Sequence, residues 1–487
     1  MNRLIEQKNS TLLLGLLLVW LLFICMLLLS FYYSLVPNYQ SFNIGIFLSI
    51  IIYNMLYGIV MFNDKNLPYL LFSPLFWYKF ISILFYGIGP LSYYFGNKIT
   101  IEVMHLYYFT SHETLSKIAL IYITVIFLTD LILLVLNHIS PLPSQALFKH
   151  VNKKLLFFYT LIIGISCKFF IMIPAFYFGV GFPAIVIMFS KFTYVSIFLS
   201  YGMGKNNIFY RIVFYILVLS EMGTSLLTLS KEYLYMTILF AAFTVFFYKK
   251  NVRTMFVTGL VSAFLYIVLI QNLFILLRSS DEGNFGLTSV TELTEAVDTA
   301  RILTKDGVSG GVQSYQAWWT RLSYVNYQAY AVEAYEMGSP GKTFENIKYA
   351  FIPRVIYPEK PNLNSGKLYN SLIQNTFNER TPNSTGPGFF LEAYWNGGWS
   401  YLIATIIYFT FLVFYFSKII IKNLKQKNYL ILMLAVNAIY IGRGIDDWFT
   451  GRYVSFILFI VIIYIFSLIF YKSIEAILIT KKIELNE

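Results

Sequence analysis

The chain has 487 residues, of which 58% are hydrophobic and 12% are charged, whereas a soluble domain is about 25% charged. This composition excludes an ordinary soluble protein and predicts a membrane protein. The formal net charge is +12, but the basic residues fall mostly in short loops between apolar runs, where the positive-inside bias and anionic lipid account for them. No nucleic-acid partner is therefore predicted. The two cysteines and four histidines form no metal-ligand pattern, so no metal or cofactor is predicted either.

Apolar runs long enough to cross a bilayer, which takes roughly 20 residues each, recur along the chain. They are expected at residues 11–34, 43–62, 69–95, 116–137, 155–178, 182–202, 208–229, 232–248, 254–277, 399–418, 428–442 and 452–471. The first run is too long for a signal peptide and is predicted to be a retained span. The predicted fold class is an all-α polytopic membrane protein with about 12 transmembrane helices.

The basic residues predict the orientation of these spans, because cytoplasmic loops carry an excess of lysine and arginine. The N-terminus, the loop around Lys153, residues 249–253 and the turn after the span at 399–418 are basic and fall on one side. Both termini are therefore predicted to be cytoplasmic. The chain then divides into spans 1–9 (1–277), one large extracytoplasmic loop (278–398), and spans 10–12 with a cytoplasmic tail (399–487).

The loop carries helix signals of its own. SVTELTEAVDTARIL (289–303) begins with a Ser-x-x-Glu capping pattern. QAWWTRLSYVNYQAYAVEAY (316–335) places Trp318, Leu322 and Val325 at helical spacing. Such amphipathic helices are expected to lie against the membrane domain or the lipid headgroups.

Arg354 follows Pro353 in the polar stretch AFIPRVIYPEKPN (350–362). Because proline removes a backbone donor and disfavours helix in the preceding residue, the helix suggested by residues 346–351 is predicted to break before Pro353. An arginine held on such a rigid stretch is suited to phosphate, since its guanidinium forms bidentate bonds and keeps its proton. An arginine bonded to loop carbonyls or to Glu359 is an equally good interpretation.

Two elements carry a family resemblance. The first is IPRVIYPEKP (352–361), and the second is STGPGFFLEAYWNGGW (384–399), just before a span. Together they resemble an I-P-R-x-x-[WY]-P-x-K-P-like element and a P-G-x-x-x-E-x-[YW]-x-x-x-G element of the bacterial O-antigen and capsule polysaccharide polymerases of the Wzy type. The matching residues are Ile352, Pro353, Arg354, Tyr357, Pro358, Lys360, Pro361, Pro387, Gly388, Glu392, Tyr394 and Gly398.

The resemblance implies a metal-independent membrane glycosyltransferase without a cofactor. Its donor and acceptor would be glycan repeat units linked to undecaprenyl diphosphate. They would be joined into O-antigen or capsular polysaccharide on the outer face of the bacterial cytoplasmic membrane, and undecaprenyl diphosphate would be released. The resemblance also implies a separate copolymerase partner that sets the chain length.

Charge develops on the leaving diphosphate, so fixed cations near it would stabilise the transition state. The predicted diphosphate-binding residues are Arg354, Arg321, Lys231, Arg443 and Lys360, and the predicted sugar contacts are Trp319, Tyr357 and Trp395. Lys231 stands where the family often has a Ser-Arg-Gly-like element, and a snorkelling lysine paired with Glu232 is the alternative. An interfacial aromatic belt equally explains the tryptophans beside Arg321.

Two carboxylates are predicted to be catalytic, because the acceptor hydroxyl needs a base. Glu392 is the first candidate; a first-turn glutamate favoured by the helix dipole is the alternative. Asp447 is its rival and lies in IGRGIDDWFTGRY (441–453). The two arginines and two aspartates of that stretch are predicted to face inward together, either as part of a site or as a salt-bridge network.

Other functions fit parts of the pattern. An O-antigen ligase shares the polytopic plan and the outward loop, but the spelling of the two elements favours the polymerase. A flippase or transporter for the lipid-linked glycan is the alternative outside the enzymes. Transporters tend to carry charged residues within their spans, whereas here the polar residues concentrate in one outward segment. A transferase with an acidic pair in the first outward loop is disfavoured, because residues 36–43 contain no carboxylate.

Overall fold

The computed structural model describes most of the chain, and every regular element in that part is helical. The described residues are 39–62, 67–97, 108–139, 151–174, 188–227, 231–251, 322–350, 366–374, 385–450 and 460–472, with residues 15, 20, 24, 101, 253, 257, 352, 357 and 359. The main helices are α1 (Tyr39–Phe62), α2 (Pro74–Phe95), α3 (His112–Ile139), α4 (Lys153–Met172), α5 (Phe192–Gly204), α6 (Ile208–Leu227), α7 (Lys231–Lys249), α8 (Val325–Glu336), α9 (Gly366–Gln374), α10 (Phe389–Lys425), α11 (Tyr429–Asp446) and α12 (Ile460–Lys472).

Seven of the described helices are long and apolar enough to cross a membrane, namely α1, α2, α3, α4, α6, α10 and α11. Helices α7 and α12 are apolar but shorter. The chain is thus an all-helical membrane protein over the part that the structure describes. The expected spans at 11–34 and 254–277 lie outside the described helices, so the total of about 12 stays a prediction.

Apolar side chains exposed along single helix faces support membrane insertion. On α1, Leu48, Ile52, Met55 and Ile59 are exposed and recur at spacings of three and four residues. This spacing places them on one face of the helix. Because apolar side chains are favourable against lipid and unfavourable in water, this face is suited to the hydrocarbon core.

Among the helix boundaries that differ from the sequence prediction are the starts of α2 and α10. The span expected from residue 69 begins at Pro74, because the chain turns at residues 71–73 and proline occupies the first turn of α2. The span expected from residue 399 belongs to α10, which begins ten residues earlier at Phe389. The backbone of α10 is non-helical at Gly397 and Gly398.

The chain forms two compact units. Unit 1 comprises Met1–Gln145, Trp319–Ile421 and Ala438–Ile462, and unit 2 comprises Ala146–Trp318, Lys422–Asn437 and Ile463–Glu487. In unit 1, α1 packs against α2 and α3, and the largest fully buried side chains include Trp77 and Tyr122. In unit 2, α5 packs against α4, α6 and α7.

Helix α8 confirms a helix within the stretch 316–335, but this helix begins at Val325, and Leu322 lies in a turn before it. Val325, Ala329 and Val332 are fully buried at spacings of four and three residues, and α8 packs against α3. The expected helix at 289–303 lies outside the described residues. The helix before Pro353 ends at Ala350, as predicted.

Candidate functional site

Polar side chains hold α8 against the start of α3 in unit 1. The Glu333 carboxylate accepts hydrogen bonds from the Tyr108 hydroxyl and from the Thr114 hydroxyl, both at 2.6 Å. Lys117 on α3 lies 2.6 Å from the Glu336 carboxylate. Burial, together with the neighbouring Glu333, raises the pKa of Tyr108, so its hydroxyl stays protonated and remains a donor. We call residues 322–350 the cap.

Two glycines of the second family element, Gly388 and Gly398, occupy positions that favour glycine. Gly388 has φ +82°, and a Cβ there would lie 3.2 Å from the carbonyl oxygen of Ile445. Gly398 has φ +61°, and a Cβ there would lie 2.4 Å from the Tyr335 hydroxyl. Both positions favour glycine, because L side chains rarely adopt positive φ. These two glycines let the start of α10 approach the end of α11 and the cap.

Glu392, on the first turn of α10, binds the backbone after α11. Its Oε2 accepts from the Phe449 amide at 2.6 Å and from the Thr450 amide at 3.4 Å. Its Oε1 accepts from the Thr450 hydroxyl, and the Thr343 hydroxyl of the cap also bonds to this carboxylate. The side chain is fully buried. Hydrogen bonds of this kind compensate for the cost of burying a carboxylate. Through them, Glu392 joins α10, the residues after α11 and the cap.

A second set of contacts ties the cap to the same turn of α10. The Asn396 amide nitrogen donates to the Thr343 hydroxyl and to the carbonyl of Glu392, both at 2.8 Å. Its amide oxygen accepts from the Phe344 backbone at 3.1 Å. The Gly341 amide donates to the backbone carbonyl of Trp395 at 3.0 Å. Residues 341–344 of the cap are therefore fixed against α10 by the backbone as well as by side chains.

Aromatic rings gather beside these polar contacts. The Tyr369 ring centroid lies 5.1 Å from that of Trp395, 5.3 Å from that of Trp448 and 5.4 Å from that of Tyr330. We call these four residues the aromatic cluster. The Trp395 Nε1 and the amide nitrogen of Asn370 are buried and have no hydrogen-bond partner among the described residues. Buried donors of this kind usually have an acceptor, so Trp395 in the cluster and Asn370 next to Tyr369 are two donors available to a polar ligand.

The two carboxylates predicted to be catalytic lie on the two segments that Glu392 joins, and they differ in access. Glu392 is fully buried behind the residues that it binds, whereas Asp447 is half-buried at the end of α11. Asp447 has an extended backbone, with φ −93° and ψ 171°, and its amide donates to the carbonyl of Gly444 at 3.0 Å. Of the two, Asp447 is therefore closer to the surface of unit 1.

The predicted cations are described only in part. Arg443 is half-buried at the end of α11, with its guanidinium 5.4 Å from the centre of the Tyr440 ring. Arg354, Arg321 and Lys360 lie outside the described residues, as does the side chain of Lys231 at the start of α7.

The predicted sugar contacts fall in different surroundings. Trp395 is buried within the aromatic cluster. Tyr357 is exposed and stacks on Tyr349 of the cap at a centroid distance of 6.0 Å and an interplanar angle of 20°. Trp319 lies outside the described residues. The use of these rings in sugar binding stays a prediction.

A buried ion pair inside unit 1 was missed by sequence reasoning. Lys79 of α2 is bonded to Asp130 of α3. The Tyr53 hydroxyl of α1 donates to the same carboxylate at 2.6 Å. The Lys79 ammonium also lies 4.3 Å from the centre of the Tyr57 ring. Charged side chains at such depth are costly unless paired, so this cluster joins three apolar helices.

Unit 2 contains a similar pair. Lys168 of α4 is bonded to Glu221 of α6, and both side chains are buried. Lys168 is also the first residue of a π-helical turn, Lys168–Met172, an irregularity that recurs at functional sites. The spans therefore contain buried charges in addition to the polar residues of the outward segment. Partners about 50 residues apart show no local signal that would identify them as a pair.

Comparison with family models, with curated proteins and with solved structures gives no match for this chain. The resemblance to polysaccharide polymerases consequently rests on the residues of the two elements alone.

Proposed function

We propose that the protein is a membrane glycosyltransferase that polymerises glycan repeat units carried on undecaprenyl diphosphate. The observation that carries the proposal is the meeting of the second family element with the end of α11. They meet through Glu392 and Thr450, beside the aromatic cluster and under the cap. The segments that meet here carry two carboxylates, an arginine and aromatic rings, which are the residue types that transfer of a sugar from a diphosphate requires.

The aromatic cluster supports a carbohydrate ligand. Ring faces provide flat apolar surfaces for sugar C–H groups, and the Trp395 Nε1–H and the Asn370 amide are buried donors without a described acceptor. Sugar hydroxyls are acceptors as well as donors, so one ring of the repeat unit would satisfy both groups. Burial also raises the pKa of Tyr369, which keeps its hydroxyl neutral in this cluster.

The two carboxylates then have different roles. Asp447 takes the proton as the acceptor hydroxyl oxygen attacks the anomeric carbon, and the bond between that carbon and the diphosphate oxygen breaks. Glu392 is a positioning residue, because its carboxylate already binds Thr450 and the Phe449 amide and is closed to solvent. Arg443, Arg354 and Arg321 are the candidate cations for the leaving diphosphate. They would be joined there by Lys360 and Lys231.

The test is the surface-glycan profile of the native host after deletion of this gene. The gene is restored as wild type, as Arg354→Ala or as Arg354→Lys. The matched control is a separate strain with Lys425→Gln, which removes a charge at an exposed residue of unit 2. Loss of the ladder to a single repeat unit on its acceptor supports a polymerase. Loss of all attached glycan refutes it and favours the O-antigen ligase or a flippase.

A comparison of the restored strains tests the phosphate role of Arg354. We expect Arg354→Ala to abolish polymerisation at a normal protein level, and Arg354→Lys to restore it only in part, because lysine cannot form the bidentate bonds of arginine. A full ladder with Arg354→Ala would refute this role.

One observation favours a transporter as the second candidate. The pairs Lys79–Asp130 and Lys168–Glu221 are buried within apolar helices, and charges at such depth often mark transport pathways. Purified protein in liposomes separates the two functions. A transporter moves a lipid-linked glycan across the bilayer without lengthening it, whereas a polymerase lengthens it without net movement.

A further inference from the structure

Unit 2 contains a basic pocket where four of its helices end. It has a volume of about 350 Å³ and is lined by Lys153, Lys154, Asn206, Asn207, Tyr210 and Tyr248, among others. The lysines begin α4, the asparagines lie in the turn between α5 and α6, and Tyr248 is near the end of α7. Since α4 and α6 are long enough to span a membrane, their ends lie at the depth of the lipid headgroups.

The pocket is polar for a structural reason. Asn152 and Asn207 accept hydrogen bonds from the second residues of α4 and α6, Lys154 at 3.0 Å and Phe209 at 2.9 Å. Both helices therefore begin at the pocket and direct their positive ends toward it. Tyr210 is buried behind the opening, which leaves the lysines and asparagines at the rim.

Carboxylates are scarce in the segments that line the pocket. The sequence has no aspartate or glutamate between Leu131 and Ser220, nor between Tyr233 and Ser280. The ammonium of Lys153 lies 4.8 Å from the centre of the Tyr429 ring in the same unit, and Lys154 is exposed. No ion pair is seen for either lysine among the residues that the structure describes.

Apolar side chains flank the rim. Ile208, Phe209 and Ile212 on the first turns of α6 are exposed, and so are Phe158 and Ile162 of α4. These side chains lie within about two turns of the pocket residues and face away from the packed interior. A ligand with an anionic head and hydrocarbon tails would satisfy both surfaces.

We propose that this pocket binds a phosphate group, and that the phosphate is the headgroup of an anionic phospholipid. The two lysines contact the phosphate oxygens, the asparagine amides and tyrosine hydroxyls serve the remaining headgroup oxygens, and the acyl chains lie on the apolar side chains of α4 and α6. The proposal concerns unit 2 and is independent of the proposed polymerase activity.

Native mass spectrometry of the purified full-length protein tests this site. Delipidated protein in detergent is titrated with phosphatidylglycerol or with phosphatidylcholine, and the test variant is Lys153→Gln/Lys154→Gln. Two lysines near a phosphate predict a loss of roughly 30-fold in phosphatidylglycerol affinity, or about 2 kcal/mol. Lys342→Gln and Lys348→Gln, combined as an equal loss of exposed charge at residues that do not line the pocket, should bind as wild type.

Three outcomes would overturn the proposal. Equal affinity of the wild type for the two lipids would remove the headgroup preference, and an equal loss in the control would reduce it to general charge attraction. If millimolar inorganic phosphate competes fully for phosphatidylglycerol and binds as tightly, the site takes soluble phosphate rather than lipid. A Lys153→Arg/Lys154→Arg variant should restore lipid binding, which distinguishes the loss of a contact from misfolding.

Discussion

Replacing Glu392 separates positioning from proton transfer. Alanine removes the acceptor of the Phe449 amide, the Thr450 amide and the Thr450 hydroxyl. A buried donor left without a partner costs about 1–3 kcal/mol, so Glu392→Ala should lower the free energy of unfolding by about 4 kcal/mol for the two backbone amides. Glutamine keeps one acceptor oxygen for these amides and should cost about 1 kcal/mol.

Unfolding of the purified variants in mixed detergent micelles measures this order. We expect wild type to be the most stable, then Glu392→Gln, then Glu392→Ala. Glu345→Ala, at an exposed glutamate of the cap, is the matched control and should stay within about 0.5 kcal/mol of wild type. Equal stability of Glu392→Ala and the control would refute the argument from the hydrogen bonds.

Activity distinguishes the two roles of Glu392. As a positioning residue it should tolerate glutamine with more than roughly a tenth of the wild-type rate, because glutamine retains an acceptor, whereas loss of a general base costs about 10²–10⁴-fold. A folded Glu392→Gln protein whose rate of repeat-unit transfer falls by 100-fold or more would identify Glu392 as the base and remove the positioning role.

Three other changes have defined outcomes. Asp447→Asn should lower the rate of repeat-unit transfer by about 10²–10⁴-fold, and a near-normal rate would exclude Asp447 as the base. Asp130→Asn should lower the free energy of unfolding in micelles by about 3–5 kcal/mol, because it leaves the Lys79 charge buried and unpaired. The double variant Lys79→Met/Asp130→Leu should restore most of the lost stability, since no buried charge remains. A double variant as unstable as Asp130→Asn would contradict this. Gly398→Ala should lower the unfolding temperature, because residue 398 has a positive φ and a Cβ there would lie 2.4 Å from the Tyr335 hydroxyl. An unchanged unfolding temperature would show that the backbone and Tyr335 relax to accommodate the methyl group.

The apolar pattern predicted most of the described spans, because length and hydropathy are local properties. Helix α3 was expected at 116–137 and extends from His112 to Ile139. The end of the helix before Pro353 was also predictable, since proline acts on its immediate neighbours. The early start of α10 was not, because the charge of Glu392 is compensated by residues 449 and 450, which lie far away in sequence.

The candidate site was predictable in its residue types more than in its contacts. Glu392 and Asp447 were selected from two separate polar stretches, and the structure brings those stretches together at the start of α10 and the end of α11. Nothing local indicated that Asn396 binds the cap, or that Lys79 faces Asp130, because such pairs depend on how helices pack.

The two sides of the candidate site are held with different strengths. Glu392 fastens the start of α10 to the turn after α11 with buried hydrogen bonds, and water cannot compete for them there. The contacts of α8 with α3 include the partly exposed pair Lys117–Glu336, which water can replace at little cost. The junction of α10 and α11 is therefore the more rigid of the two sides, and the Lys117–Glu336 pair is the contact that breaks at the lower energetic cost.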